Sequence, residues 1–377
     1  MPTAGQPAGG DRHRRDPAPG SGDLRAAGRT GATLTRAAWL GVLVMLVLLA
    51  WPGSARANTT CTATASAVAF GNISNMAASA TPANMGVTIT CTTGGLTLLA
   101  NVRVRLCVGI GSGSASTAVL PTRQMTNANA DTLAFQLYTD AARQVPWGLL
   151  QGGSPPAQDL QLSYAAPLLG GSGSVTTTVY GQVPANQTLA TGSYSSAFNT
   201  GNVTLTYAYN EVLLGTPTMP GSCTDATATN RKSASNAFPF SATATVLPQC
   251  GSYLVTDMDF GTAAGRIATP INQTAQLTLT CVRRTAFNVS LDNGLHAAGS
   301  TRRMRHSTTT TAFIPYELYR DSARLQRWGN TVGTDVVAGT GTGVAQQVTI
   351  YGRAPATTGA LPVAGNYADR ITVTITY

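Results

Sequence analysis

Lysine is almost missing from this 377-residue chain: Lys232 is the single one among 24 basic residues, the others being arginine. Charged residues make up only 10% of the chain and aromatics 6%. No basic block interleaved with aromatics occurs, which excludes a nucleic-acid groove. Beyond residue 57 there are two histidines, His296 and His306, and neither has a partner at metal-ligand spacing. The glycines follow no phosphate-loop pattern. Asp140 and Asp321 recur in equivalent surroundings, but each motif holds one acid rather than a catalytic pair. No long apolar stripe of helical period is present. The expectation is therefore no enzyme, no cofactor and no metal.

The formal charge of +9 overstates the folded part, because residues 1–57 hold seven arginines and three aspartates and leave 17 basic against 12 acidic residues. Residues 39–50 (WLGVLVMLVLLA) form a short apolar run after Arg36 and before Ala55-Arg56-Ala57. That order is the one found in a secretory signal peptide, so residues 1–57 are read as a signal, against a retained membrane anchor. The run is short for a bilayer span. Cleavage after Ala57 leaves 320 residues, room for two domains. Cys61, Cys91, Cys107, Cys223, Cys250 and Cys281 all follow the cleavage point, and an even count in an exported protein predicts three disulfides.

The chain repeats itself. Cys61, Phe70-Gly71 and Cys91 are matched by Cys250, Phe260-Gly261 and Cys281, with 21 residues from phenylalanine to cysteine in both. Phe135-Gln-Leu-Tyr138-Thr-Asp140 with Trp147-Gly148 is matched by Tyr316-Glu-Leu-Tyr319-Arg-Asp321 with Trp328-Gly329. Thr122-Arg123-Gln124-Met125 corresponds to Thr301-Arg302-Arg303-Met304, and Val179-Tyr180-Gly181 to Ile350-Tyr351-Gly352. Both units close on an alternating run, Val203 to Tyr207 and Val373 to Tyr377. Tandem domains follow. Equivalence then pairs Cys61 with Cys91 and Cys250 with Cys281, leaving Cys107 for Cys223. Arg123, Arg302, Trp147 and Trp328 are assigned to local structure and packing. Segments such as Val87–Thr90, Asn101–Arg105, Gln276–Thr280 and Phe287–Leu291 alternate apolar and polar residues between Gly/Ser/Asn/Pro clusters. That pattern predicts an all-β chain of two tandem immunoglobulin-like β-sandwich domains.

The Cys…Phe-Gly…Cys opening, the Leu-Tyr-x-Asp…Trp-Gly middle, the Tyr-Gly strand and the closing Thr-x-Thr-Tyr resemble the spore coat protein U domain family, which includes subunits of archaic chaperone–usher pili. The resemblance implies pilin-type domains that lack a final strand and receive one from elsewhere. It implies a periplasmic chaperone, an outer-membrane usher and a neighbouring pilin subunit as partners. It also implies export through the periplasm to the cell surface, and abiotic or host surfaces as adhesive targets.

Phe238, Phe240, Ala242, Ala244 and Val246 share one face of an alternating run just before the second repeat. This segment is read as a donor strand for the first domain, against an ordinary first strand of the second domain or a linker. The organisation expected is a signal over 1–57, an adhesin domain over 58–209, a linker over 210–237, a donor-like strand over 238–249 and a pilin domain over 250–377. The second domain is expected to lack its own final strand. With only Asn58, Thr59 and Thr60 before Cys61, the first repeat has no donor extension, which is the position of a two-domain tip adhesin; a start near residue 48 weakens that reading. The first domain is longer between Trp147 and Tyr180, where Leu149, Leu150, Leu160, Leu162, Tyr164, Leu168 and Leu169 stand among Gly, Ser and Pro. Two readings stay open for them: an exposed adhesive patch, or a longer hairpin with its leucines in the core. The competing function is a coat-forming structural protein with self-contained domains.

Overall fold

Alternating Thr/Val segments become strands throughout, and among the described residues every regular element is a strand. The computed structural model describes residues 58–377 apart from 96–98 and 213–214. The signal peptide assigned to 1–57 lies outside these residues.

The first domain contains β1 (Asn58–Ala65), β2 (Val68–Ile73), β3 (Thr81–Gly94), β4 (Ala100–Ile110), β5 (Arg123–Thr126) and β6 (Thr132–Tyr138). It continues with β7 (Gln158–Ala166), β8 (Gly171–Val183), β9 (Gly192–Phe198), β10 (Val203–Val212), β11 (Asn230–Ser235) and β12 (Phe240–Val246). One sheet runs β1-β3-β8-β6-β5-β9-β12-β2 and the other β11-β10-β4-β7. Met85, Val87, Ile89 and Cys91 of β3 face Val102, Val104, Leu106, Val108 and Ile110 of β4 across a single core. The intervening threonines of β3 point outward, as a sheet with one solvated face requires.

The second domain contains β13 (Cys250–Val255), β14 (Ile271–Cys281), β15 (Ala286–Leu291), β16 (Arg302–His306), β17 (Phe313–Tyr319), β18 (Val337–Thr340), β19 (Ala345–Ala354), β20 (Tyr367–Ala368) and β21 (Val373–Thr376). Its sheets run β13-β14-β19-β17-β16-β20 and β18-β15-β21. This is the first domain's order without counterparts of β12, β2 and β11.

The repeated motifs are scaffold. Asp140 accepts backbone N–H groups from Gln144 and Val145, and Asp321 accepts them from Leu325 and Gln326. Each aspartate thus closes a turn rather than facing a cleft. Trp147 donates its indole N–H to the Val108 carbonyl at 2.7 Å, and Trp328 donates to Val289 at 2.9 Å. The three disulfides join Cys61 to Cys91, Cys107 to Cys223 and Cys250 to Cys281.

The linker expected over 210–237 is corrected. β10 runs on to Val212, and β11 pairs with it from Thr204↔Ser235 to Tyr209↔Asn230. The run Asn-Arg-Lys-Ser-Ala-Ser is exposed on both faces at the edge of its sheet. It carries no apolar alternation to read, only a backbone ladder. Arg231 and Lys232 on this edge discourage further strand addition, and Lys232 Nζ donates to the Thr59 carbonyl at 2.8 Å.

Candidate functional site

The segment before the second domain enters the first. β12 lies antiparallel to β9, from Phe240↔Phe198 to Val246↔Gly192, and parallel to β2, from Ala242↔Val68 to Val246↔Ile73. Phe238, Ala242, Ala244 and Val246 are buried, while Phe240 is half-buried and stacks on Phe198 with ring centroids 4.5 Å apart. Phe198 in turn meets Phe135, and Phe135 meets Phe70, in edge-to-face contacts. Burying one such side chain contributes about 1.5–3 kcal/mol. β2 has no other strand neighbour in the sheet order, so its pairing depends on β12.

In the second domain no described strand lies at that place. β20 ends the sheet with two residues, and the counterpart of β2, residues 258–263, forms no strand. Between them runs a groove of about 410 Å³, lined by Met258, Phe260, Met304, Tyr316, Leu318, Ile350, Asp369, Ile371 and Val373 among others. Phe260, Met304, Ile371, Val373 and Ile375 are only part-buried, whereas Phe70, Met125, Phe198, Val203 and Leu205 at the same places in the first domain are buried. The same apolar floor is therefore covered in one domain and open in the other.

A hydrogen-bonded polar pair lies in the groove. Tyr316, where the first domain has Phe135, donates its hydroxyl to Asp369 at 2.8 Å. Burial, reinforced by the adjacent carboxylate, raises the Tyr316 pKa far above the usual phenol value. Asp369 also accepts the His296 backbone N–H at 3.1 Å. Single-sequence reading missed this pair; aligning Phe135 with Tyr316 between the repeats was the available signal.

An ion-pair cluster joins the two domains, beside Val282, which packs into the first domain's core. The almost fully buried Asp131 of the first domain takes Arg283 and Arg284 of the second, each at 2.6 Å. The Arg284 hydrogen bond holds the Asp131 carboxyl below its ordinary range. Thr191 N–H donates to the Arg283 carbonyl at 3.0 Å, so this junction lies just beyond the end of β8.

The seven residues do not form one surface, and the two readings left open for them divide among them. Leu160, Leu162 and Tyr164 sit on β7, whose pairing with β4 turns them toward the core. Leu149 is half-buried before β7, and Leu150, though exposed, stands at the same end. Leu168 and Leu169, 55% and 86% exposed, form the β7–β8 turn at the opposite end. Leu99, 60% exposed, joins them, because Ala100 pairs with Ala166. These three leucines therefore lie where β8 begins, some 40 Å along that strand from the domain junction (at about 3.3 Å per residue).

The chain is similar to several known proteins. Protein U of Myxococcus xanthus is 37% identical over 110 residues, which is 28% of this chain and 59% of that protein. Among solved structures, the CsuC–CsuE chaperone–tip adhesion subunit pre-assembly complex from archaic chaperone-usher Csu pili of Acinetobacter baumannii aligns with a TM-score of 0.39 and 18% identity. That alignment covers 84% of this chain and 100% of that one. CfaE, the adhesive subunit of CFA/I fimbria of enterotoxigenic Escherichia coli, aligns with a TM-score of 0.30 and 10% identity over 72% of this chain and 81% of its own. The Spore Coat Protein U domain model matches residues 50–201 and 236–374, the second stretch beginning ahead of β12 and running through the second domain. Two sandwiches built on the same duplicated motifs, both matched by one family model, show that the chain belongs to the Spore Coat Protein U domain family.

Proposed function

We propose that this protein is an adhesive subunit of a chaperone–usher pilus. Its first domain is completed by its own β12, and its second takes a complementing strand from another chain. The observation that carries this reading is the contrast between the domains: the same sheet position is filled in one and open in the other. An open apolar groove beside an unpaired sheet edge is costly in water and is the substrate of strand addition. A periplasmic chaperone would cover it first, an outer-membrane usher would exchange the cover, and a neighbouring pilin would fill it at the cell surface. The strand preceding the second domain is already engaged in the first, so the described residues accept a strand and offer none. That favours the fibre tip. The self-contained coat protein is disfavoured by the open second domain, and no catalytic role is proposed for any residue.

The test is to add an alternating strand peptide to the purified full chain. Saturation at 100-fold its Kd should stabilise the second domain by about 2.7 kcal/mol. Amide exchange should slow at Asp257–Phe260 and Ile371–Val373. A second domain that melts and exchanges identically with and without every strand offered would end the proposal.

Adhesion is assigned to the distal leucines. Exposed apolar side chains grouped on a turn suit contact with hydrophobic surfaces. Replacing Leu168 and Leu169 with aspartate should leave melting within about 0.5 kcal/mol of wild type, as expected for exposed sites. Attachment of piliated cells to hydrophobic plastic, and the biofilm that follows, should fall. Undiminished attachment would remove the assignment.

A further inference from the structure

The two domains present different chemistry at one point of the same groove, and the register defines that point. Thr126 pairs with Ser195 in the first domain and Arg305 with Ala368 in the second, so Ser196 corresponds to Asp369. Ala242 of β12 is the direct cross-strand partner of Ser196, and both side chains are buried. Phe135 lies on the same floor where the second domain has Tyr316. A small apolar residue thus meets a hydroxyl and a phenyl ring in the first domain. In the second, the residue arriving at the same register meets a carboxylate already bonded to a phenol.

We infer that Tyr316 and Asp369 select the strand that completes the second domain, admitting segments with a side-chain hydrogen-bond donor opposite Asp369 and disfavouring alanine there. The inference rests on the proposed strand-accepting function. In the open groove, water reaches the Asp369 carboxylate. An inserted strand removes that water, and a carboxylate has about four acceptor positions to satisfy. Tyr316 and the His296 N–H supply two donors. A serine, threonine or asparagine side chain supplies a third, whereas alanine leaves the charge short of partners in a desolvated site. The same pair makes β12 a poor match for the second domain. Copies of this chain are thereby discouraged from filling one another through that strand, which is chemically the nearest competitor to the right partner.

The test uses the full chain, in which β12 occupies the first domain at high effective concentration and leaves only the second groove free. Two synthetic peptides are compared: residues 236–248 as they stand, and the same peptide carrying Ala242→Ser. The serine peptide should bind about tenfold more tightly, the equivalent of one charge-assisted hydrogen bond. In the double variant Tyr316→Phe, Asp369→Ser, which copies the first domain's own residues, the preference should vanish. Should that variant fail to fold, the comparison on the unsubstituted chain still decides. Equal affinities there overturn the selection while leaving the strand-accepting function intact. Failure of both peptides to bind overturns the function and the selection with it.

Discussion

Val246→Asp should strongly destabilise the first domain while leaving the second unchanged. Val246 is 1% exposed and held between Gly192 of β9 and Ile73 of β2. A carboxylate there would lose its water and meet apolar neighbours, among them Ile73 and Ala244. Buried, unpaired charges belong to the small class of substitutions that cost more than about 4 kcal/mol. For a domain of this size that is a fall of about 8–16 °C in Tm. Leu247→Asp, one residue on and 51% exposed, is the matched control and should cost no more than about 0.5 kcal/mol. Calorimetry separates the two domains if their transitions are distinct. A first transition unmoved by Val246→Asp would mean that β12 does not complete that domain.

Arg123→Met should be nearly as damaging, although a hydrophobic residue replaces a charged one in the core. Arg123 is fully buried, with Nε donating to the Gly111 carbonyl at 2.7 Å and Nη2 donating to Ile110 at 2.9 Å. Nη2 also reaches the Trp147 carbonyl, and Nη1 donates to Gln136. Burial pulls its pKa down to about 9, which leaves it protonated at neutral pH. Methionine fills the space but strands these acceptors, each worth about 1–3 kcal/mol, so a loss of about 3–5 kcal/mol is expected. Lysine should not rescue it, because a point charge on a flexible stem cannot serve a planar fan of acceptors. Arg302 spans Leu291, Asp292 and Trp328 in the same way, with Glu317 in place of Gln136. Arg302→Met should therefore lower the second transition and spare the first. Melting unchanged in either variant would show that the guanidinium is not holding the loop to the sheet.

What could be read from the sequence follows the physics of each element. Strands with one buried face, such as β3, β4, β10 and β14, write their environment as period-2 alternation. β11 is exposed on both faces, and its only stabilisation is a backbone ladder that any residue can make. The repeat aligned the cysteines, so the disulfide partners were legible. Leu160, Leu162 and Tyr164 were ambiguous because a β strand in a long hairpin and an apolar loop share a composition; pairing with β4 settles them. Leu99 was invisible as a companion of Leu168 and Leu169, since only the register of β4 on β7 brings 99 beside 168. On the groove floor the change from phenylalanine to tyrosine was visible between the copies, whereas the change from serine to aspartate follows only from the strand register. Either change carries meaning only once the open edge is known.

The parallel pairing of β12 with β2 also sets an order in time. Ala242 meets Val68 across about 170 residues of chain, among the most distant contacts in the molecule. Contacts of such separation form late. A chain emerging from its N-terminus therefore holds the first sandwich unfinished until residue 246 has appeared, by which point the second is about to begin. For that interval the first domain resembles the second as it stands here: an exposed edge above an apolar floor, in the condition most prone to association. One domain outgrows this stage with its own chain, and the other keeps its groove open among the described residues. Any helper that shields such an edge is needed briefly for the first half and durably for the second.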